Sequence, residues 1–420
     1  MLLPRLGPSL GPGLRRFLHT VKPHAVDSEI NPASLSSDLS LVDTYRSHPC
    51  FNLSSLVESK LGKNLHLLSG HPIHTVSYLI QKYFKTAHLE RMRQALSADE
   101  SINKADICVK CFDRLSPIVT KFQNFDNLLF PLDHISRNPT DTYYLDDTHM
   151  LRCHTTAHQS QIIPTLSHRE LALIVGDVYR RDTIDHCHYP VFHQLDAVRL
   201  FDQRPDMSDD GYIVQDLKEA LDGMIRYLFS DSVKIRWVDA YFPFTHPSFE
   251  MEIFVNGNWL EILGCGVIHP LILSQTGCKY RRGWAFGIGL ERITMSLFNI
   301  PDIRLFWSED PRFKSQFVPE KVTPFKPFSN QPSCFKDISF WIHDSYQSND
   351  LFEIIRQETN EMAEAVTLID TFRHPVTQRE SHCYRIHYRS MHSTLTNEQV
   401  DELQNNLRQQ IVEKLKVELR

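Results

Sequence analysis

The sequence lacks the features of several protein classes. No stretch approaches the run of ~20 apolar residues that a membrane-spanning helix requires, so we expect no membrane insertion. There is no excess of positive charge: 45 Lys and Arg residues against 51 Asp and Glu residues give a formal net charge of −6. This balance argues against a protein that binds nucleic acid through a broad positive field, so an RNA partner would have to be met by local basic patches.

Paired cysteines are also scarce. The nine cysteines are odd in number and mostly isolated, as expected in a reducing compartment. Cys108 and Cys111 form a lone CxxC, but a zinc site would need a second pair of ligands. The nearby His71 and His74 fit no known zinc-finger spacing, and we interpret the cysteine pair as incidental.

The first residues differ from the rest of the chain. Residues 1–26 carry arginine and lysine interspersed with leucine, and no acidic residue precedes Asp27. This cationic, amphipathic composition is typical of an organellar transit peptide. A basic tail with no targeting role has the same composition, so composition alone leaves both interpretations open.

Length and periodicity indicate more than one folded part. At 420 residues the chain is long enough for two or three domains. Helical periodicity marks residues 75–96, and a long strand-like stretch punctuated by turns follows to about residue 290, interrupted by a helical segment at roughly 214–229. The proline-rich segment Val318–Pro332 has little periodicity and is typical of a linker.

Beyond the linker the pattern predicts a strand-helix-strand-strand-helix-strand order, which is that of a ferredoxin-like unit. The predicted elements are Asp337–Ile342, Asp350–Ala365, Val366–Phe372, Ser381–Ser390, Thr396–Leu415 and Lys416–Arg420. Alternation in the fourth element puts Arg385, His387 and Arg389 on one face. Such a face suits an RNA backbone, although a solvated sheet face explains the charges equally well.

A first constellation of chemical groups lies in Ile174–Phe201, which reads as two strands joined by a polar loop. Alternation puts Arg180 and Asp182 on one face of the first strand, and Phe192, Gln194 and Asp196 on one face of the second. The fork of an arginine suits a phosphate, an aromatic ring suits a purine, and a carboxylate suits an ammonium group. The same stretch contains His186, His188 and His193, but their spacing matches no known metal motif.

A second constellation is Gly283–Phe298, where a short apolar strand runs through Gly287 and Gly289 into a helix. The helix N-terminus and Arg292 could hold an anion. This is not a dinucleotide-binding motif, because Arg292 stands in place of the third glycine, and no P-loop occurs in the chain. A glycine pair before a helix is otherwise plain packing.

A third constellation consists of Leu151–Gln161 and Tyr241–Glu252, two strand-like segments. In the latter, Phe242 and Phe244 flank a proline and share a face. Taken alone, two such phenylalanines indicate a hydrophobic core.

Together these segments resemble a known family. VYRRD followed by FHQLD resembles motif 2 of class II aminoacyl-tRNA synthetases, GIGLER resembles motif 3, and LSPIVTKFQNFDNL resembles a degenerate motif 1. With HTTAHQ, YFPFTHP and LEILGCG, the resemblance is specific to phenylalanyl-tRNA synthetases and covers roughly residues 60–420.

The resemblance implies an α+β fold: an antiparallel sheet flanked by helices, followed by a ferredoxin-fold anticodon-binding domain. It implies a transit peptide over residues 1–25, a catalytic domain over 26–317, a linker over 318–332 and the anticodon-binding domain over 333–420. The single-chain arrangement resembles the mitochondrial form of the family, which implies a monomer in the mitochondrial matrix. The implied substrates are ATP with Mg²⁺, phenylalanine and tRNA(Phe).

The resemblance also implies residue roles. Arg180 would hold the α-phosphate of ATP and Arg292 the γ-phosphate end, which makes these two the catalytic residues. The other residues implied at the ATP site are Cys187, His188, Tyr189, Phe192 and Glu261. No Ser-His-Asp or Cys-His constellation is apparent, which agrees with a reaction that needs alignment and charge stabilisation rather than a protein nucleophile.

For phenylalanine, the resemblance implies contacts with its amino and carboxyl groups and with its ring. The residues implied are His154, Thr156, Ala157, His158, Gln159, Gln194, Leu195, Asp196, Phe242, Phe244, Ala285 and Phe286. Thr156 stands where the family often has serine, and Asp196 where it often has glutamate, so both keep the chemical group and change its reach. A non-enzymatic relative would be expected to lose the motif arginines or glycines, and a synthetase for another amino acid would be expected to lose the YFPF segment and Ala285.

Overall fold

The computed structural model describes residues 41–96, 103–202, 210–328, 331–390 and 393–420. The predicted transit peptide lies outside these residues. The helices are α1 (Ser55–Lys60), α2 (Pro72–Tyr83), α3 (Leu89–Leu96), α4 (Lys121–Asn124), α5 (Gln159–Ile162), α6 (Gly211–Leu228), α7 (Pro270–Gln275), α8 (Leu290–Phe298), α9 (Pro311–Lys314), α10 (Ser348–Thr359) and α11 (Asn397–Leu415). A π-helical turn, Phe84–His88, joins α2 to α3.

The strands are β1 (Cys108–Phe112), β2 (Ile118–Thr120), β3 (His149–Leu151), β4 (Glu170–Tyr179), β5 (Val191–Asp202), β6 (Ile235–Phe242), β7 (Thr245–Val255), β8 (Asn258–Ile268), β9 (Arg281–Gly289), β10 (Cys334–Trp341), β11 (Ala363–Arg373), β12 (Glu380–Tyr388) and β13 (Glu418–Leu419). Short 3-10 turns lie at Leu65–Leu67, Lys104–Asp106, Asp126–Leu128, Ile135–Arg137, Thr155–His158, Ile163–Thr165 and Ile303–Trp307.

The main sheet has seven strands in the order β1-β4-β5-β9-β8-β7-β6. Only its β1–β4 pair is parallel; the other neighbouring pairs are antiparallel. The amphipathic helices α2, α6 and α8 bury their apolar faces in the same core as the sheet. Because β5 and β9 are central, the motif 2 and motif 3 segments lie side by side in the best-supported part of the sheet.

The C-terminal part has the predicted strand-helix-strand-strand-helix-strand order, and its sheet is ordered β11-β12-β10-β13. It has its own core, to which Tyr384, Ile386 and Tyr388 contribute as alternation predicted. Helix α11 begins after Thr396, whose side chain and that of Gln399 form the reciprocal capping box. The α+β fold with a ferredoxin-like C-terminal unit is confirmed.

The structure refines the C-terminal predictions in two places. The helix predicted over Asp350–Ala365 ends at Thr359, because Asn360 (φ 45°) and Glu361 (φ 69°) take the left-handed conformation that terminates helices. The predicted basic face of β12 is partly neutralised, since Arg385 pairs with Asp337 at 2.8 Å and Arg389 with Glu364 at 3.2 Å.

The proline-rich segment is not a free connection. Its residue Phe325 is buried in the main core, where its ring lies 5.8 Å from that of Phe313 and its N–H donates to the carbonyl of Phe298. Proline removed the periodicity on which the sequence prediction relied, but not the apolar side chains that anchor the segment.

Candidate active site

Two adjoining cavities open on the sheet. The aromatic cavity, of about 580 Å³, is lined by Phe125, Phe130, Phe242, Phe244 and Phe286 among others. The arginine cavity, of about 370 Å³, is lined by the loop between β4 and β5 and by the start of α8. The walls that both cavities share are formed by Arg180, Asp182, Gln194, Glu261, Gly264 and Gly287. A ligand could therefore extend from one cavity into the other past Arg180.

The wall of the aromatic cavity is a set of packed rings. The rings of Phe242 and Phe244 stack at 5.7 Å, and Phe130 lies 5.9 Å from Phe244. Strand β8 allows this packing because Gly264 has no side chain: a Cβ there would lie 2.7 Å from Cζ of Phe242. Ala285 on β9 also lines the cavity, and its small side chain leaves room beside the rings. The arrangement suits a flat apolar ligand group.

A buried carboxylate lies in this cavity. Asp196 on β5 is 1% exposed and accepts hydrogen bonds from the hydroxyls of Thr155 and Thr156, both at 2.6 Å, and from the amide of Gln159 at 3.4 Å. Burial raises the pKa of Asp196 to about 6, and these neutral donors only partly oppose the rise. A buried carboxylate held by neutral donors favours a cationic ligand group.

Two further polar groups face the same space. Gln194 lies two residues before Asp196 on the same strand face, and its Oε1 has no hydrogen-bond partner among the described residues. His154 stacks on Phe130 at 5.9 Å, and neither ring nitrogen has a partner in the described part of the chain. Burial, assisted by the charge of Arg180, lowers the pKa of His154 to about 3, so the ring is neutral and can donate one hydrogen bond.

Arg180 stands where the two cavities meet. Its Nε donates to the carbonyl of Cys153 at 2.8 Å, and its guanidinium carbon lies 5.3 Å from the centroid of the Phe192 ring. Because Arg180 immediately follows β4 and Phe192 is the second residue of β5, the β4–β5 pairing brings the two together. The side chain is thereby fixed before any ligand arrives.

The arginine cavity is bounded by Arg292 and Glu261. Arg292 extends from the first turn of α8, and its Nη1 donates to the carbonyl of Glu261 at 2.9 Å and lies 3.6 Å from the carboxylate of the same residue. Both side chains are substantially exposed. A helix N-terminus, an arginine and an approachable glycine strand are suited to an extended anion.

The loop that covers this cavity is organised by one aspartate. Asp185 accepts from the backbone N–H groups of Cys187 and His188, both at 2.8 Å, and from Nδ1 of His188 at 2.7 Å. Burial acts to raise the pKa of Asp185, but these bonds outweigh it and hold the pKa well below its ordinary value. The hydrogen bond between the Asp185 carboxylate and Nδ1 of His188 also raises the pKa of His188.

These loop residues also bear on the alternative interpretation, in which histidines of this segment bind a metal ion. Asp185, Cys187 and His188 place possible ligand atoms within 4.8 Å of one another, and the hydrogen bonds above account for that proximity. His193 lies elsewhere, buried against Glu291. His188 and His193 therefore have separate structural partners.

The C-terminal part contacts the same loop. Arg356 on α10 donates to the carbonyls of Asp182 and Thr183, the latter at 2.6 Å. The N–H of Val366 donates to the carbonyl of Ile184 at 3.0 Å, and the Ile184 side chain is buried within the C-terminal core. Further contacts join Tyr189 to Glu361 and Arg181 to Asp350. The loop is thus held both by the hydrogen bonds of its own Asp185 and by contacts with the C-terminal part.

Most of the predicted residues line one cavity or the other, but three side chains do not. Ala157 is buried in a small cluster beneath the cavity, and Leu195 points to the opposite face of β5 from its neighbours. His158 is bonded to Arg152 at 2.9 Å, and Arg152 in turn pairs with the buried Asp177 at 2.7 Å. Burial, assisted by Arg152, lowers the pKa of His158 to about 3. These three residues pack next to the residues that line the cavities and do not line them.

Sequence reasoning missed other residues of the aromatic cavity. The prediction that Leu151–Gln161 is strand-like is wrong beyond Leu151, because residues 155–158 form a 3-10 turn and Gln159–Ile162 a helix. In that turn the hydroxyls of Thr155 and Thr156 both reach Asp196, and the sequence analysis did not include Thr155. Phe125, Phe130 and Asn349 also line the cavity. The first two lie in the NFDNLLF segment, whose apolar spacing was the available signal; Asn349 comes from the C-terminal part and left none.

Comparison with known proteins agrees with this arrangement. The family model described as "tRNA synthetases class II core domain (F)" matches residues 70–317, and that described as "Ferredoxin-fold anticodon binding domain" matches residues 329–420. None of the helices in the described ranges is long and apolar enough to cross a membrane.

Curated relatives match over most of their length. "Phenylalanine--tRNA ligase, chloroplastic/mitochondrial" of Arabidopsis thaliana is 46% identical, over 89% of this chain and 83% of that protein. "Phenylalanine--tRNA ligase, mitochondrial" of Dictyostelium discoideum is 42% identical, over 88% and 89%. The protein of the same description from Saccharomyces cerevisiae is 35% identical, over 97% and 98%. The chain therefore belongs to the phenylalanine–tRNA ligase family of class II aminoacyl-tRNA synthetases.

Proposed function

We propose that the chain activates L-phenylalanine with ATP and transfers it to the 3′ end of tRNA(Phe). The observation that carries the proposal is the junction of the two cavities: a ring-lined cavity with a buried carboxylate meets an anion-binding cavity at Arg180. An amino acid and a nucleotide bound side by side would bring the carboxylate of one to the α-phosphorus of the other. Such an attack needs alignment and charge stabilisation, which these residues supply.

Phenylalanine would bind with its ring between Phe242, Phe244 and Phe286. Its ammonium group would lie against Asp196, together with Gln194, Thr156 and Gln159. The neutral ring of His154 would donate to the carboxylate of the amino acid. Ala157, His158 and Leu195 would act only by holding these groups in place.

ATP would bind in the arginine cavity. Phe192 presents a ring face for adenine, Arg180 would hold the α-phosphate, and Arg292 would hold the γ-phosphate end. Glu261 and the loop residues Cys187, His188 and Tyr189 would enclose the nucleotide. Since charge grows at the α-phosphate as the amino acid attacks, Arg180 would stabilise the transition state more than the ground state.

The residues near Glu261 fit the Mg²⁺ that such a reaction requires. The pKa of Glu250 is raised by burial and by the negative charges of Glu261 and Glu252, so these carboxylates of β7 and β8 are near enough to interact. Carboxylate oxygens are the ligands that Mg²⁺ prefers, and Glu261 and Glu250 would hold it. When bound, the ion would share the charge of the triphosphate. Protein groups alone would align the amino acid.

The wider setting follows from the family. We assign residues 26–317 to the catalytic domain, 318–332 to the linker and 333–420 to the anticodon-binding domain, which would hold the tRNA. Relatives described as mitochondrial support a mitochondrial location. We further propose that the enzyme acts in the matrix as a monomer and that residues 1–25 are its transit peptide. A non-enzymatic relative is disfavoured because Arg180 and Arg292 both line the arginine cavity.

The test is amino-acid-dependent exchange of pyrophosphate into ATP, measured with each of the twenty amino acids on protein lacking residues 1–25. Strong exchange with phenylalanine and weaker exchange with tyrosine is expected. Exchange with a different amino acid would retain the class II reaction and overturn the assignment of the aromatic cavity. No exchange with any amino acid would overturn the enzymatic proposal.

A further inference from the structure

A buried ionisable pair joins the two motif segments at the wall of the arginine cavity, which Glu291 itself lines. Glu291, on the first turn of α8 beside Arg292, is 3% exposed, and His193 on β5 is fully buried. The carboxylate of Glu291 accepts the backbone N–H of His193 at 2.8 and 2.9 Å and its Nδ1 at 2.7 Å. His193 lies between Phe192 and Gln194, which face the cavities.

The Glu291–His193 pair lies next to the point where the pairing of β5 with β9 ends. Strand β9 pairs with β5 from Asp202 as far as Gln194, opposite Gly289, and α8 then begins at Leu290. Residues 191–193 of β5 consequently have no neighbour from β9. Glu291 supplies the missing acceptor, because its carboxylate takes the His193 N–H as a strand carbonyl would. Without it, that N–H would be a buried donor without a partner, which proteins rarely tolerate.

The imidazole is fixed from its other side by aromatic packing. The ring of His193 stacks on Trp307 at 5.8 Å and lies 5.4 Å from the ring of His66. Trp307 in turn stacks at 5.8 Å on Tyr189, a residue of the loop over the arginine cavity. The position of His193 is therefore determined independently of Glu291. The hydrogen bonds of Glu291 to His193 then fix the position of α8 relative to β5.

We propose that Glu291 and His193 are positioning residues that set the placement of Arg292 relative to Phe192 across the bound nucleotide. This inference rests on the proposed function and deepens it. Phe192 precedes His193 on β5, and Arg292 follows Glu291 on α8, so one set of hydrogen bonds fixes both neighbours. The phenylalanine-binding residues Gln194 and Asp196 lie in the part of β5 that β9 already supports, so the pair acts on ATP and not on the amino acid.

The decisive variant is Glu291→Gln, which keeps the size of the side chain but replaces one acceptor oxygen by a donor. Loss of a hydrogen bond to a charged group predicts that KM for ATP in pyrophosphate exchange rises about tenfold or more. KM for phenylalanine should stay within about twofold, since the amino-acid subsite lies beyond the pair. The melting temperature should stay within a few degrees of that of the unaltered protein.

Two further variants separate positioning from stability. His193→Asn keeps a donor at the position of Nδ1 and should retain a nearly normal KM for ATP, whereas His193→Leu should raise it. Thr294→Val is the matched control, because Thr294 is buried on the same helix but bonds only to the Leu290 carbonyl. It should leave both KM values unchanged.

An unchanged KM for ATP in folded Glu291→Gln protein would overturn the inference. So would equal rises for ATP and phenylalanine, or a lower melting temperature as the sole effect. If the unaltered protein shows no exchange with any amino acid, the proposed function fails instead. The pair is then tested by calorimetric titration with ATP, in which Glu291→Gln must still bind more weakly than the unaltered protein and Thr294→Val must not.

Discussion

The guanidinium carbon of Arg180 lies 5.3 Å from the centroid of the Phe192 ring, at the wall where the two cavities meet. Two consecutive strands therefore bring the proposed phosphate-binding arginine and the proposed adenine-stacking ring to one point. Neither side chain has to travel to form the site.

Replacing Arg180 by alanine should lower phenylalanine-dependent pyrophosphate exchange by about 10²–10³-fold, the usual effect of removing one donor from a developing oxyanion. Arg180→Lys keeps the charge but loses the fork and the contact with the Phe192 ring, so it should recover only part of the activity. Thermal unfolding of each variant is the control for folding. Exchange at a near-normal rate in Arg180→Ala would refute the assignment.

The buried carboxylate predicts a characteristic pH dependence. Since the pKa of Asp196 is raised to about 6, kcat/KM for phenylalanine should fall as the pH drops below about 6, because the protonated carboxyl no longer attracts the ammonium group. In Asp196→Asn, kcat/KM should be low at every pH and this inflection should be absent. A retained inflection would assign the titration to another group.

The same pKa also predicts an effect on stability. A carboxyl whose pKa is higher in the folded than in the unfolded protein binds more protons when folded, here between the ordinary aspartate pKa of 3.8 and about 6. Its contribution to stability therefore falls as the pH rises through that window. Asp196→Asn removes the penalty. At pH 7 the ligand-free variant should melt at a higher temperature than the unaltered protein, and the difference should disappear near pH 3. Calorimetry at both pH values measures it.

Gly287 should be intolerant of a side chain. A Cβ at this position would lie 2.6 Å from Nε2 of Gln194 and 2.9 Å from Oδ1 of Asp196, so Gly287→Ala should raise KM for phenylalanine by displacing both groups. Gly289→Ala is the matched change on the same strand, where a Cβ meets nothing within 4 Å. It should leave KM for phenylalanine unaltered, and equal effects of the two substitutions would contradict the steric explanation.

Tyrosine should be misloaded measurably. A cavity built of rings rejects an isostere that adds one hydroxyl by only about 10²-fold. Formation of Tyr-tRNA by purified protein, compared with Phe-tRNA under the same conditions, checks this. Rapid charging with phenylalanine and none with tyrosine would disprove it.

The sequence was most informative where strand alternation governs the structure. The hairpin β4–β5, the strand that leads through Gly287 into α8, and the order of the C-terminal elements all follow from local periodicity and capping. Contacts between distant residues were not predictable. Nothing around Arg385 indicates its ion pair with Asp337, because alternation assigns a face and not a partner. The contact of Thr155 with Asp196 was likewise not predictable, because residues 155–158 form a 3-10 turn and not the predicted strand.

Ile184 illustrates a different kind of limit. Its side chain is buried in the C-terminal core, although in the sequence it belongs to the motif 2 loop. The linker in the sequence is therefore not where the two cores separate. A chimaera spliced at the linker would give the incoming anticodon-binding domain a foreign side chain at a position in its own interior. Exchange of this domain between relatives should therefore succeed only when residues 182–184 are transplanted with it.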